Sequence, residues 1–339
     1  MNKRPVIRSI DLGYGNTKFS YLNPQSQKIV FDSFPSLAVR SSDSSDLITS
    51  GMGKYNLKSV VTDSGEFKVG KDIECCDHAG DFGGTSENYI QTPGYHALFK
   101  GALSYIGEPH IDYLTVGLPV HRYMRHRDEL AELCTGEHHL GDGTTVLVKN
   151  VKVVIQPYGG LCANLKENES INTHLNDTLN ERHLIVDVGH HTTDWIVARG
   201  LNLIGKACNS YPTGMYDVLK KLSALTTQDD YEVILHGLKN GNRMMLNREL
   251  IDISPHIPAS LLTLDKAMSS LKNSIDGMQD KILQVHLVGG GALFIKGCIE
   301  TYFKDSDITV LDNPTFANVR GFQAHGEQAW IALHEGEAA

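Results

Sequence analysis

Two short segments of the chain repeat one plan, and this repeat constrains the fold more than any other feature. The segment IDLGYGNTK (10–18) has an aspartate at the end of an apolar run and then two glycines. The segment IVDVGHHTTD (185–194) repeats the run, the aspartate and the first glycine. Each predicts a strand, a tight turn and a second strand, although either one alone is compatible with an ordinary β-turn. Two copies about half a chain apart favour an internal duplication.

Length and pattern favour two α/β domains. A single core usually holds ~100 to 200 residues, and this chain has 339. Apolar strands at 113–120 and 282–292 alternate with helical patterns, as in α/β folds. Residues 33–95 show no period and predict an irregular, exposed subdomain. Further elements are predicted as a strand hairpin at 144–157, a helix that begins after the glycines of GGLCANLKEN, and helices over 214–225, 229–238, 246–252, 260–279 and 318–335.

The residues of the first turn fit a phosphate group and its metal ion. Glycines let backbone N–H groups approach phosphate oxygens, Lys18 neutralises charge, and Asp11 can hold Mg²⁺ through water. A third segment, LVGGGA (287–292), lies between a predicted strand and a helix, so its backbone can pass beneath a base or a sugar. Neither GxGxxG nor a P-loop is present. We interpret His190 and His191 as turn residues that fill space rather than as metal ligands.

Charge and cysteine usage narrow the functional classes. A net charge of −9 argues against direct, non-specific DNA binding, and we interpret the basic cluster at 121–127 as a solvated helix face. The six cysteines form no CxxC pair and no Cys/His zinc spacing, which favours reduced thiols without a structural metal. No segment resembles a signal peptide or a membrane span of ~18 apolar residues. We therefore expect a cytoplasmic protein with no membrane partner.

The order of the motifs resembles the actin-like ATPase superfamily. DxGxGNTK, QPYGG, DVGxxTTD, VGGGA and NVRGF follow one another through most of the chain, and VGLPV before a basic helix is similar to the ParM/StbA-type plasmid-segregation branch. The resemblance implies an α/β, actin-like ATPase fold with two related, ribonuclease H-like domains around a nucleotide cleft, each with a five-stranded mixed sheet. Domain I is expected at 1–160, with the C-terminal helix 318–339 returning to it, and domain II at 161–317.

The resemblance also implies roles for individual residues. Gln156 falls where the family orients the attacking water, and Asp187 and Asp11 are expected to be catalytic and to bind Mg²⁺ mainly through water. Tyr14 replaces a common Ser or Thr, and His190 a common Gly, so γ-phosphate sensing is expected to use backbone groups or to be slower. The expected nucleotide-binding residues are Gly13, Tyr14, Gly15, Asn16, Thr17, Lys18, Gly189, His190, Thr192, Asp194, Gly214, Gly289, Gly290 and Gly291.

The function implied is that of a slow ATPase that uses ATP/ADP and Mg²⁺. Nucleotide-dependent, head-to-tail filaments of the chain with itself would segregate plasmid DNA through a DNA-bound adaptor of the ParR type. A small-molecule kinase of the same fold stays open, although no substrate-pocket carboxylate stands out. A non-polymerising regulatory or scaffold protein also stays open. An Hsp70-like chaperone is disfavoured, because little sequence follows the final helix.

Overall fold

The fold consists of two compact units, seen in a computed structural model that describes residues 4–43, 55–76, 88–169, 181–278 and 281–335. Unit 1 comprises Met1–Leu175 and Thr315–Ala339, and unit 2 comprises Asn176–Pro314. No helix among the described residues is both long and apolar enough to span a membrane.

Unit 1 is built on a five-stranded mixed sheet with the order β11-β8-β1-β2-β3. Strands β1, β8 and β11 run parallel, whereas β2 and β3 are antiparallel additions. All residues of β1 are buried, as expected for a parallel strand covered on both faces. The strands are β1 (Ile7–Leu12), β2 (Asn16–Leu22), β3 (Ile29–Pro35), β4 (Val39–Arg40), β5 (Leu57–Thr62), β6 (Gly65–Gly70), β7 (His110–Ile111), β8 (Tyr113–Leu118), β9 (Gly136–His139), β10 (Thr145–Val148) and β11 (Val151–Ile155).

Local signals in the sequence explain three helices among the described residues of unit 1 that precede unit 2. They are α1 (Pro93–Ile106), α2 (Val120–Cys134) and α3 (Gln156–Glu169). Thr92 caps α1 by accepting a hydrogen bond from the Tyr95 N–H, and Gly107 ends it with a φ of 70°. Helix α3 begins at Gln156 rather than after the glycines, because Pro157 is tolerated in a first helical turn. Residues 160 and 161, the expected domain border, both lie within α3.

The prediction of an irregular subdomain at 33–95 is wrong for its described residues. Strands β4, β6 and β5 form a three-stranded sheet in that order. Val60, Phe67 and Val69 are fully buried in the core of unit 1. The sequence pattern does not predict these strands, because they are short and surrounded by Ser, Gly and Asp, which weakens the alternation of apolar and polar residues. Residues 44–54 and 77–87 lie outside the described part of the chain.

Unit 2 repeats the strand plan of unit 1. Its main path is β14-β13-β12-β18-β19, and β15 also pairs with β13, which makes six strands where five were expected. Strands β12, β18 and β19 are parallel, and β13 forms an antiparallel hairpin with β12. The strands are β12 (Arg182–Val188), β13 (Thr193–Arg199), β14 (Asn202–Leu203), β15 (Asn209–Tyr211), β16 (Arg243–Leu246), β17 (Glu249–Asp252), β18 (Gln284–Val288) and β19 (Asp307–Val310).

The described residues of unit 2 form five α-helices, and two predictions need correction. The helices are α4 (Met215–Thr226), α5 (Tyr231–Lys239), α6 (Ile257–Leu261), α7 (Asp265–Ser274) and α8 (Ala292–Tyr302). The helix predicted at 246–252 is wrong, since β16 and β17 form a hairpin there. Asn247 and Arg248 at its tip have φ values of 51° and 68°, which suit a two-residue hairpin turn and not a helix. The helix predicted at 260–279 is shorter and interrupted before Asp265.

The last helix, α9 (Ala317–Glu335), returns to unit 1 and packs on α3 and on strands β1 and β8. Its contact with α3 is made backbone to backbone. A methyl group built on Gly321 would overlap the carbonyl oxygen of Gly159, and one on Gly159 would overlap that of Asn318. Only glycine at 159 and 321 therefore allows the two helices to approach this closely.

A pair of buried histidines joins two strands of unit 2. His183 Nδ1 and His286 Nε2 lie 3.1 Å apart and share a hydrogen bond. Burial, together with the charge of His183, lowers the pKa of His286 to about 3. The usual histidine pKa is about 6.5. Between the two pKa values the unfolded chain therefore binds a proton at this residue and the folded chain does not. The stability that results is fully present above pH ~6.5 and is lost as the pH falls toward the folded pKa.

We expect the His286→Gln variant to lose this pH dependence. In the unsubstituted chain this site should lower the free energy of unfolding by about 1.4 kcal/mol per pH unit below pH ~6.5. Urea denaturation between pH 7 and 5 can be followed by Trp195 fluorescence in a Trp330→Phe background, which leaves one of the two tryptophans. His139→Gln, at an exposed histidine on β9, is the control and should keep the slope. An unchanged slope in His286→Gln would contradict the assignment.

Candidate functional site

The first predicted turn is a tight connection between β1 and β2. The Gly13 N–H donates to the carbonyl oxygen of Asn16 at 3.2 Å. A side chain on Gly13 would come 2.9 Å from the same oxygen, so the turn requires glycine. The Ser36 hydroxyl donates to the Gly13 carbonyl at 2.6 Å and lies 3.0 Å from the Thr17 hydroxyl. Thr17 thus helps to hold the turn, and Ser36 is a supporting residue that the motif did not reveal.

Asp11 lies at the centre of a buried polar network in unit 1. Its Oδ2 accepts a hydrogen bond from Lys18 Nζ at 3.0 Å, and its Oδ1 accepts one from Gln156 Nε2 at 2.8 Å. Gln156 is the first residue of α3, directly after β11, so it reaches Asp11 from the carboxyl edge of the parallel strands. Gly117 leaves room for it, because a side chain there would come 3.0 Å from Gln156 Cγ. The network joins three predicted site residues.

Lys18→Met is expected to lower the free energy of unfolding by about 3 kcal/mol, because it leaves a buried carboxylate without its cation. The side chains of Asp11 and Lys18 are only 2% and 14% exposed, so solvent screens the pair weakly. Urea denaturation followed by circular dichroism measures the change. The double variant Lys18→Met/Asp11→Asn should recover part of the loss, since it also removes the unpaired charge. Equal losses in the single and double variants would show that the pair is not coupled.

Tyr14 is anchored inside unit 1. Its ring lies 5.1 Å from the ring of Tyr89, and the guanidinium of Arg122 lies 5.5 Å from its centre. Arg122 is buried in the first turn of α2. The aromatic ring and the cation therefore tie the tip of the first turn to α2. Arg122 was assigned to a solvated basic face from the sequence, and that interpretation is wrong for this residue.

The second turn has the same backbone form as the first. The Gly189 N–H donates to the carbonyl oxygen of Thr192 at 2.9 Å. In the strand register Asp187 lies opposite Asp194, as Asp11 lies opposite Lys18 in unit 1. The Thr192 hydroxyl donates to Asp194 Oδ2 at 2.6 Å. The repeat inferred from the sequence is therefore present in hydrogen bonding and in register.

The charges of the two turns differ. The first pairs an aspartate with a lysine, whereas the second places two buried aspartates, Asp187 and Asp194, at opposed positions. Carboxylate oxygens are the ligands that Mg²⁺ prefers, and this ion usually takes one or two of them together with water and phosphate. Among the described residues, no cluster of three or more His, Cys, Asp or Glu could hold a metal alone. The second turn thus fits a water-rich Mg²⁺ site.

Gly214 fastens helix α4 to the second turn. The N–H groups of Met215 and Tyr216 donate to the carbonyl oxygens of Gly189 and His190 at 3.0 and 2.8 Å. A side chain on Gly214 would come 2.6 Å from the His190 oxygen. The Gly214 N–H donates to Asp217 Oδ2 at 3.1 Å, a capping contact that the sequence motif does not predict. These bonds fix the backbone of the turn against the helix.

Two rings pack beside the same turn. His190 and His191 lie 5.6 and 4.9 Å from the ring of Tyr216, measured between ring centres. Both imidazoles are therefore packed against an aromatic neighbour.

The third motif, with its three consecutive glycines, lies against the second turn. A side chain on Gly289, whose φ is 86°, would overlap Asp187 Oδ1. The Gly291 N–H donates to the Val188 carbonyl at 3.0 Å. Gly290 instead faces open space. The outer glycines thus serve packing, and the middle one leaves the backbone accessible, which suits the approach of a flat ligand.

The structure therefore gathers the predicted residues into one group per unit. In unit 1 the group contains Asp11, Gly13, Tyr14, Gly15, Asn16, Thr17, Lys18 and Gln156. In unit 2 it contains Asp187, Gly189, His190, Thr192, Asp194, Gly214, Gly289, Gly290 and Gly291.

Two family models match the chain in this order. Residues 9–159 match the N-terminal domain of actin-like proteins, and residues 185–301 match the C-terminal domain of the archaeal, MreB-like actin homologue. The chain belongs to the actin-like superfamily. Both hairpin turns and the three glycines of this actin-like protein lie within the matched segments.

Solved structures show the same fold. The apo ParM protein of pSK41 has a TM-score of 0.71 and 18% identity, over 98% of this chain and 100% of that one. A 15-stranded ParM filament from Clostridium botulinum has a TM-score of 0.71 and 17% identity, over 96% and 100%. An archaeal actin homologue in complex with ADP has a TM-score of 0.69 and 16% identity, over 95% and 99%. No curated protein matches the sequence.

The expected fold class is confirmed. The actin-like protein has the actin-like ATPase fold, with a mixed sheet in each unit and helices packed on it.

Proposed function

We propose that this actin-like protein binds ATP with Mg²⁺, hydrolyses it slowly and assembles into ATP-dependent filaments. The duplicated turn carries the proposal: each unit offers a glycine turn beside a buried aspartate, in one register. Support also comes from the similar fold of an ADP complex and of a ParM filament.

The residues of unit 1 would bind phosphate and orient water. Backbone N–H groups near the first turn would face phosphate oxygens, as glycine-rich turns allow. Lys18 and Gln156 hold both oxygens of Asp11, which fixes that carboxylate. Gln156 also keeps an amide oxygen that can accept a hydrogen bond from a water molecule. Positioning of this kind supplies most of the catalysis in phosphoryl transfer.

The residues of unit 2 would hold the cation and the nucleobase. Asp187 and Asp194 would share Mg²⁺ through water, and the cation, when bound, neutralises charge on the phosphates. Asp187 is a candidate for orienting the attacking water, because Gly289 and the strand ladder restrict its position. Gly290 leaves backbone open toward a base or a sugar.

The biological role follows from the resemblance. We propose that the filaments move plasmid DNA in the cytoplasm and that a DNA-bound adaptor of the ParR type makes the DNA contact. The net charge of −9 is consistent with an indirect contact, since phosphate neutralisation needs clustered cations.

Light scattering and high-speed sedimentation test the proposal. We expect polymer with ATP and Mg²⁺, and little or none with ADP or without nucleotide. Replacement of Mg²⁺ by EDTA should abolish the ATP response. A chain that stays monomeric at high concentration with ATP would contradict the filament proposal and favour a non-polymerising nucleotide-binding protein of the same fold.

A further inference from the structure

The hairpin of β16 and β17 presents an apolar pair to solvent. Met245 and Leu250 lie opposite each other in the ladder and are 53% and 61% exposed. The neighbouring pair, Met244 and Ile251, points the other way and packs against the core of unit 2. The hairpin thus has an inner face that anchors it and an outer face that stays open to solvent.

The outer face is held in a fixed shape. Helix α5 approaches the hairpin so closely that a side chain on Gly237 would come 2.8 Å from Met244 Cβ. At the tip, Asn247 and Arg248 adopt the left-handed conformation whose twist matches that of two paired strands. A surface that is ordered before binding loses less conformational entropy when a partner covers it.

Two residues of opposite charge lie beside the apolar pair, on the side away from the turn. Arg243 lies opposite Asp252, and both side chains point to the same side as Met245 and Leu250, since alternate residues of a strand share a face. Both are exposed. The outer face therefore carries a cation on β16 and an anion on β17, next to one apolar residue on each strand.

This pattern is complementary to itself. A two-fold rotation about a line that runs along the hairpin, between its strands, places β16 of one copy over β17 of another. Arg243 then faces Asp252 of the second copy, and Met245 faces Leu250 of the second copy. Two-fold interfaces join the same patch on both subunits and need this kind of self-complementarity.

We propose that the outer face of the β16–β17 hairpin is an interaction surface for a second copy of this chain. The patch is small compared with the ~1,000 Å² or more that a stable specific interface buries, so free monomers would associate weakly. This use of the surface rests on the proposed filament, along which the patch repeats. Many weak contacts then act together and align two filaments side by side.

Another exposed apolar residue lacks these properties. Met124 on α2 is 74% exposed, but the adjacent Arg125 and Asp128, one turn further along the helix, are exposed and charged. Single exposed apolar side chains are common and need no partner. Met124→Ser therefore serves as a control at an exposed site outside the hairpin.

Charge reversal on one strand at a time tests the contact. Arg243→Asp gives the face two carboxylates, and Asp252→Arg gives it two guanidinium groups, so neither variant should associate with itself. An equimolar mixture brings opposite faces together and should recover the association. Because mixing cannot relieve a repulsion inside one hairpin, recovery requires a contact between copies.

Sedimentation at two speeds separates the two levels of assembly. With ATP, each single variant should keep the high-speed pellet of filaments and lose the low-speed pellet of bundles. The mixture should regain the low-speed pellet, and Met124→Ser should behave as the unsubstituted chain. A mixture that pellets no more at low speed than either variant alone would overturn the proposal.

Failure of the filament proposal would be seen separately, as no high-speed pellet for the unsubstituted chain. In that case sedimentation velocity at high protein concentration, without nucleotide, measures the same mixture. A faster-sedimenting species in the mixture, but in neither single variant, supports the surface. Its absence overturns it.

Discussion

Asp187→Asn is expected to slow ATP hydrolysis by a factor on the order of 10² to 10⁴, the usual effect of removing a positioned catalytic group. Asparagine keeps the shape of the side chain and removes the charge that would orient water and hold the cation. The melting temperature should change little. Phosphate release under saturating ATP measures the effect, and binding of a fluorescent ATP analogue shows whether affinity is retained.

The matched control is Asp307→Asn. Asp307 is exposed at the amino end of β19, whereas Asp187 lies near the carboxyl end of the parallel strand β12. Opposite ends of parallel strands lie at opposite edges of the sheet, so Asp307→Asn should leave turnover unchanged. Gly289→Ala gives a second approach, since its methyl group would overlap Asp187 Oδ1 and displace the carboxylate. Full turnover in Asp187→Asn would remove this residue from the proposed mechanism.

Gly321→Ala is expected to destabilise unit 1 by about 3 kcal/mol, the upper part of the range for overpacking. The added methyl group would overlap the Gly159 carbonyl oxygen, and backbone atoms cannot rotate away. For a domain of this size the loss corresponds to about 10 °C in melting temperature. Thermal denaturation followed by circular dichroism measures it.

Gly297→Ala is the control for the general effect of alanine in a helix. A side chain at this position in α8 meets nothing within 4 Å, so the change should be neutral or raise stability by up to about 1 kcal/mol. Equal melting temperatures for Gly321→Ala and the unsubstituted chain would mean that α3 and α9 can separate without cost.

Local patterns in the sequence were sufficient to predict both hairpin turns. Asp11 and Asp187 lie near the carboxyl ends of buried strands, and Gly13 and Gly189 directly follow those strands. Buried strands of this kind are recognisable in a sequence as apolar runs. The order of these motifs indicated the actin-like fold, which is confirmed. Helix α9 was predicted within one residue of its observed start, because its pattern is long.

Contacts between distant residues were not predictable in the same way. Ser36 supports Gly13 from the bend that directly follows β3, and Arg122 reaches Tyr14 from the first turn of α2. No local period encodes either contact. The β16–β17 hairpin was mistaken for a helix because seven residues are too few to separate the two periods, and its turn lacks glycine at both central positions.

The path of the chain through its two units has a consequence for the order of events on the ribosome. Domains tend to fold as soon as their residues have emerged. Unit 2 is one continuous segment, whereas the helix that covers β1 and β8 of unit 1 is made only after all of unit 2. Until then the nascent chain displays an uncovered apolar sheet face. During synthesis there should therefore be a long interval in which chaperones that hold unfolded chains can bind this exposed face. A ribosome stalled within unit 2 should yield an aggregation-prone product.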